Sequence, residues 1–216
     1  MIWLLGDVID FAPISRFRDA ERYEHTVQDE LDLAVGYLTR LRRRFPDAAI
    51  RYMLGNHERR LKYYMWGSAS KIKGLRAARF EHQFRFDNKD RALDLGITFH
   101  HQPWTLAKKQ FVLKHGSRSN LYASRWECDD EGRSGISGHM HRTSTWVWGT
   151  PGGGLRRYDH IGCLCELAPK YREDDGSPSH WNHGMAILTV QDRYVETENI
   201  VIRNGAAIWR GKEFTA

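Results

Sequence analysis

Apolar positions along the chain fall into several short runs and one long amphipathic stretch. Residues 2–5 (Ile-Trp-Leu-Leu) are continuously apolar and stop at Gly6, a pattern that predicts a strand buried on both faces, as in the interior of an α/β sheet. A helix is expected over 26–44, where Val27, Leu31, Ala34, Val35, Leu38 and Leu41 recur at three- and four-residue spacing and form one stripe for a sheet to cover. Thr26 is its expected N-cap, with Asp29 three residues on favoured by the positive end of the helix. Arg40, Arg42, Arg43 and Arg44 crowd the last turn and Pro46 closes it.

A second buried strand is expected at 50–54, ending at Gly55, and helical pieces over 57–80 broken at Gly67 and Gly74. Residues 81–96 mix charge with little periodicity and read as a connecting excursion. Short strands are predicted at 97–100, 110–114, 134–137 and 143–148. Pro151 and the three glycines after it form a turn between two strands. The acidic stretch 173–178 reads as a solvated loop. The last third (184–190, 194–202, 206–209) reads as a β-meander whose last turn is Arg203-Asn204-Gly205. No internal repeat or linker interrupts the chain, and its 216 residues predict a single domain over 1–216 that needs no staples.

Composition adds three constraints. A formal charge of +6 and a pI near 9.3 favour polyanionic partners such as nucleic acid, with plain solubility as the bland alternative. Cys128, Cys163 and Cys165 make no even-numbered framework, which favours a reducing, cytoplasmic setting. No apolar run is long enough to span a bilayer, and the start lacks a basic segment and cleavage site, so neither membrane nor export is expected.

Candidate chemistry clusters at four places, each just after a predicted strand: Gly6-Asp7-Val8-Ile9-Asp10, Gly55-Asn56-His57-Glu58, His115-Gly116 and Gly138-His139-Met140-His141. Ligands of open α/β sheets bind outside the carboxyl ends of strands. Carboxylate, amide oxygen and imidazole without thiolate suit manganese, iron, zinc or magnesium handling phosphate. The glycines are expected to turn the backbone sharply, at φ values other residues avoid. His139 and His141, spaced H-x-H, would share one face on a strand. Each motif also has a plain reading: Asp7 and Asp10 as helix caps, His57 as a core or capping histidine, His139 and His141 as surface residues. Glu58 reads better as a brace of its helix start than as a ligand. Arg59, Arg118 and Arg142 follow the motifs closely and are open to clamping phosphate oxygens or to being solvated. His100 and His101 are read as structural, and His180 and His183 flank Trp181 in a loop. Trp104, Trp126 and Trp146 are candidates for the rim of a nucleotide cleft, although nothing in the sequence selects them.

G-D-x-x-D, G-N-H-E, H-G and G-H-x-H, in that order, resemble the calcineurin-like metallophosphoesterases. Asp10-Phe11, Ile14-Ser15-Arg16-Phe17, Gly162-Cys163-Leu164-Cys165, Tyr171 and Trp181 are similar to a bacteriophage-type branch. The resemblance implies an α/β fold, a two-sheet sandwich of mixed β-sheets flanked by helices. It also implies a metal-dependent phosphoesterase, in first place a phosphodiesterase that is nuclease-like or nucleotide-directed and uses metal-activated hydroxide for in-line attack. Residue by residue, it implies that Asp7 bridges two metals, that Asn56, His115 and His139 complete one metal site, and that His141 serves the other. It makes His57 the non-ligand histidine at the scissile phosphate and Asp10 the carboxylate that orients it.

The Asp-x-His with which the family opens has no counterpart before Asp7, so the first β-α unit is expected to be missing. One firm metal site and a second that is weak or absent follow, with Mn2+ in first place and Fe, Zn, Mg, Ni or Co as alternatives. The expected partners are a phosphate-ester substrate, nucleic acid or nucleotide, and a second copy of the chain pairing beside strand 2–5. If the chain is phage-encoded, the expected location is the host cytoplasm. The rival readings are a catalytically inactive metal- and nucleic-acid-binding protein, and a phosphomonoesterase or protein phosphatase. The protein phosphatase subfamily usually carries Arg-Gly after the second Asp, where this chain has Phe11-Ala12.

Overall fold

The structure is a computed structural model that describes residues 1–16, 25–84, 95–168 and 180–215. Phe17, Tyr171 and the acidic loop 173–178 lie outside the described residues. The described residues form a mixed α/β protein with three sheets and few helices, in two compact units, Met1–Gln102 and Pro103–Ala216. No helix among them is long and apolar enough to cross a membrane.

The first unit is built on a parallel sheet ordered β1 (Ile2–Leu4), β2 (Ile50–Met53), β3 (Ile97–His100). Between β1 and β2 runs α1 (Val27–Arg44), which begins with the expected capping box. Asp29 N donates to Thr26 Oγ1 at 3.2 Å, and Thr26 N donates to Asp29 Oδ2 at 2.7 Å. Leu31, Ala34 and Leu38 form the buried stripe of α1 and pack with Ile50, Tyr52 and Phe11. At the far end, the Arg42 guanidinium donates to the carbonyls of Phe45, Pro46, Ala48, Leu95 and Gly96. One guanidinium therefore ties the turn after α1 to the residues just before β3. After β2 come α2 (Glu58–Trp66), two single 3₁₀ turns and α3 (Phe80–Gln83), the fragmentation that Gly67 and Gly74 predict. β1 departs from expectation: its three residues are half-buried, not buried on both faces. Among the described residues it is an edge strand with β2 as its one sheet neighbour.

The second unit carries a five-stranded sheet ordered β4 (Trp104–Leu106), β5 (Phe111–Lys114), β6 (Ser134–Ser137), β8 (Leu155–His160), β7 (Ser144–Gly149). The inner strands β5, β6 and β8 are parallel, and the outer two run antiparallel to them. α4 (Ala123–Glu131) joins β5 to β6. A four-stranded antiparallel meander follows: β9 (His183–Val190), β10 (Val195–Arg203), β11 (Ala206–Trp209) and β12 (Lys212–Thr215). The turn at Asn204-Gly205 is therefore not the last. Arg210 and Gly211, both at positive φ, make a second hairpin turn that adds β12. Positive φ at both central residues matches the right-handed twist of hairpin strands.

Candidate metal and phosphate site

The predicted motifs do follow the strands. In the first unit, Asp7 lies just past β1 and Asn56-His57 just past β2, and the two strands are parallel. Both motifs therefore leave the same edge of one sheet. Asp7 takes a left-handed backbone, φ 54°, a conformation that costs most side chains about 1 kcal/mol but that Asp tolerates comparatively well. Its Oδ1 accepts from the His57 backbone N at 3.0 Å. His57 Nδ1 stands 2.6 Å from Asp10 Oδ1, and His57 Nε2 stands 3.8 Å from Asp7 Oδ2. The imidazole thus lies between two carboxylates.

Three residues brace this corner. Glu58, 1% exposed at the start of α2, accepts from Asp7 N (3.0 Å), Gly55 N (2.8 Å) and Val8 N (2.8 Å), and from the Tyr52 hydroxyl. One carboxylate therefore ties the loop after β1 to the turn after β2, a wider reach than the brace of its own helix start read from the sequence. Burial, and next the charge of Asp7, push the Glu58 carboxyl above its ordinary pKa. Arg60 donates to Asp10 Oδ1 and to the Asp10 carbonyl, each at 2.8 Å. Burial opposes ionisation of Asp10, but the His57 hydrogen bond and the His57 and Arg60 charges outweigh it and hold the carboxyl below its ordinary pKa. Glu30 of α1 accepts from Phe11 N and Ala12 N and so fastens the far end of the Asp7–Asp10 loop.

Gly55 is needed for space and not for its φ. A Cβ there would be driven into Asp7 Oδ1 and to within 2.7 Å of Glu58 Oε2. At Gly116 both reasons hold: its φ is 105°, and a Cβ would come within 3.3 Å of the His139 Cβ.

In the second unit, His115 directly follows β5 and His139 follows β6, again at one edge of a parallel sheet. His115 Nε2 and His139 Nδ1 are 3.1 Å apart, and the rings are tilted by 69°. Two imidazoles on one ion, at metal–nitrogen distances of about 2.0–2.1 Å, hold their nitrogens roughly 2.9–3.4 Å apart for octahedral to tetrahedral angles. The distance is that of a hydrogen bond between the two rings, and it is also the spacing of two ligands of one cation.

His139 and His141 are not on a strand, as the H-x-H spacing had suggested. They lie in the loop between β6 and β7, both with left-handed φ, 63° and 60°, and the loop folds Met140 inward, buried between them. The His141 ring meets Trp181 edge-to-face at 4.1 Å, and the His141 carbonyl accepts from Asn182 N at 2.9 Å. Asn182 also binds Thr143 through both side-chain atoms, latching the segment after His141.

Of the three arginines, Arg118 is engaged elsewhere: its Nε and Nη2 hold Asp130 Oδ2 at 3.2 and 2.8 Å. Arg142 Nη2 reaches the Ser119 carbonyl at 3.5 Å. Arg59 is exposed and lines a cleft in the first unit. The His100 ring lies 5.1 Å from the Trp3 ring, tilted by 38°, and His101 pairs with Glu81, in keeping with structural roles.

Sequence reasoning missed Arg60, although its place one helical turn beyond His57 puts the two on the same face. It also missed Glu127, which is fully buried on α4. Glu127 accepts from Ser117 N (2.7 Å) and Arg118 N (3.1 Å) and pairs with Lys114, so it holds the chain on both sides of His115. No pattern marks it, because α4 is polar around most of its surface. Compared with protein-family models and with curated proteins, the chain gives no match.

Proposed function

We propose that the protein is a metal-dependent phosphodiesterase of the metallophosphoesterase type, in which Asp7, Asn56, His115 and His139 hold one divalent cation. The observation that carries the reading is the His115–His139 pair, with nitrogens 3.1 Å apart. Support from the first unit comes from Asp7, braced by Glu58 and carrying His57 on its Oδ1. One carboxylate oxygen, an amide oxygen and two imidazole nitrogens would make a donor set suited to Mn2+, Fe, Zn2+ or related ions. A cation so held supplies Lewis acidity to a phosphate oxygen and lowers the pKa of water. His57, with Nδ1 fixed by Asp10, presents Nε2 for proton donation to the leaving oxygen. Arg60 keeps Asp10 in place while it does so. His141 belongs in this reading to a second, weaker cation position.

The finer fold assignment, a metallophosphoesterase-type two-sheet sandwich working as a single domain, rests on the same order of motifs. The protein-phosphatase alternative is disfavoured because Phe11 follows Asp10 and is wholly buried in the core. The protein phosphatases usually carry a cationic side chain at that place. The test is release of p-nitrophenol from bis(p-nitrophenyl) phosphate and from p-nitrophenyl phosphate with Mn2+, beside cleavage of single- and double-stranded DNA. Metal-dependent turnover favouring the diester supports the reading. No release from any of them, with metal bound, leaves a binding protein instead.

A further inference from the structure

The basic charge of the chain is not spread evenly. Between Arg59 and Arg79 stand seven Lys or Arg residues (Arg59, Arg60, Lys62, Lys71, Lys73, Arg76, Arg79) and no Asp or Glu. Seven positive charges with no acid among them make this a strongly basic stretch of a chain whose net charge is +6.

The fold gathers four of the seven, Arg59, Lys62, Lys73 and Arg79, around a cleft of about 520 Å³ in the first unit. All four are exposed, and none of them forms an ion pair among the described residues. The two acids that line the same cleft are already committed. Glu58 is buried in the hydrogen bonds that hold the Asp7 loop, and Glu81 pairs with His101 at 3.0 Å. Four like charges with no ion-pair partner among the described residues repel one another, and the arrangement becomes favourable when a polyanion enters.

Two further features narrow the ligand. Trp66 lines the cleft and is 61% exposed, with Lys62 Nζ 4.4 Å from its ring centroid. An exposed indole beside cations is the combination that stacks a base while neighbouring charges hold the backbone. The cleft begins at Glu58 and Arg59, in the first turn of α2, next to His57. Its volume suits about one nucleotide and is too small for a duplex.

We propose that this cleft binds single-stranded nucleic acid beside the scissile phosphodiester, with Arg59, Lys62, Lys73 and Arg79 on phosphates and Trp66 under a base. The inference rests on the phosphodiesterase reading for its substrate class, but its test does not depend on turnover. A fluorescein-labelled oligothymidylate is titrated in EDTA, so that no hydrolysis occurs, and anisotropy is followed at several salt concentrations. The wild-type protein binds with a strong salt dependence. Combining Lys62→Gln, Lys73→Gln and Arg79→Gln lowers affinity at least tenfold and flattens the salt slope by roughly 2, since each lost phosphate contact on a single strand removes about 0.7. Trp66→Ala lowers affinity about tenfold and leaves the slope unchanged. Lys62→Arg with Lys73→Arg restores the charge and the binding, which separates lost contacts from a damaged fold. Wild-type affinity in the triple glutamine variant overturns the proposal. So does equal competition by inorganic phosphate or by a duplex of the same length. A protein that binds the strand but never cleaves a diester defeats only the phosphodiesterase reading; one that cleaves diesters while the triple variant binds normally defeats only the cleft.

Discussion

Asp10 Oδ1 lies 2.6 Å from His57 Nδ1, and the same oxygen accepts from Arg60 Nη1 at 2.8 Å. One carboxylate oxygen thus fixes the histidine and is itself fixed by a cation from the next turn of the helix. Chemically, this leaves Nε2 as the ring atom turned toward Asp7.

The first prediction concerns this pair. His57→Ala is expected to lower kcat for a diester by 10²–10⁴, the usual range for losing a general acid. Asp10→Asn is expected to cost about 10–100-fold, as an outer-shell partner does. Both are read from steady-state kinetics with saturating metal. Because the folded pKa of Asp10 is depressed, its contribution to stability is present above the unfolded value near 3.8 and is lost as pH falls through the folded value. Denaturant melts between pH 2 and 6 should therefore show a steeper acid loss in wild type than in Asp10→Asn.

Glu58 is the next. Removing its carboxylate with Glu58→Ala strands the buried donors at Asp7, Val8, Gly55 and Tyr52. A loss of about 3 kcal/mol or more is expected, seen as a melting temperature lower by roughly 6–12 °C. Glu58→Gln keeps the shape and one acceptor, so it should cost less than half as much. Differential scanning calorimetry of the two variants separates the cases; equal costs would contradict the bracing role.

Gly55→Ala is expected to disturb the site more than the fold. The added Cβ meets Asp7 Oδ1, the Asp7 backbone N at 2.6 Å and Glu58 Oε2, so the Asp7 loop must move. Metal affinity should fall at least tenfold, measured by isothermal titration, while circular dichroism stays unchanged.

Cys163 offers a check away from the site. The hydrogen bond from the Cys165 thiol, which outweighs burial, holds the Cys163 thiol down to about 7, whereas burial raises Cys128. Iodoacetamide at pH 7 should label Cys163 well ahead of Cys128, with a half-maximal rate near pH 7. Cys165→Ala should move that midpoint upward. Peptide mass spectrometry across pH reads both.

Much of this was legible in the sequence, and the exceptions share a cause. β2, β3 and α1 announce themselves because their apolar residues meet the core of the first unit, with Ile50, Ile97 and Leu38 buried, and β5 does so because Phe111, Val112 and Leu113 are buried in the second unit. β8 (Leu155–His160) does not, because Arg157 and Asp159 within it pair with each other and Asp159 also takes Thr145 and Asn199. Its burial is therefore polar and leaves no hydrophobic period. α4 is hidden in the same way by Glu127. The ligand motifs were legible as strand-end signals, yet not the backbone at His139 and His141. Their left-handed φ belongs to a loop conformation that a two-residue spacing does not reveal. Glu58 stood out by its place at the helix start, but its reach to the loop after β1 depends on the parallel pairing of β1 and β2.

The central claim, one cation held jointly by Asp7, Asn56, His115 and His139, is tested most directly by titrating Mn2+ calorimetrically into metal-free protein, Asp7→Asn and His139→Ala. The account predicts one tight equivalent in wild type, weakened at least tenfold by each substitution although the two lie in different units of the chain. Two tight equivalents that survive dialysis, or tight binding untouched by either substitution, would contradict it.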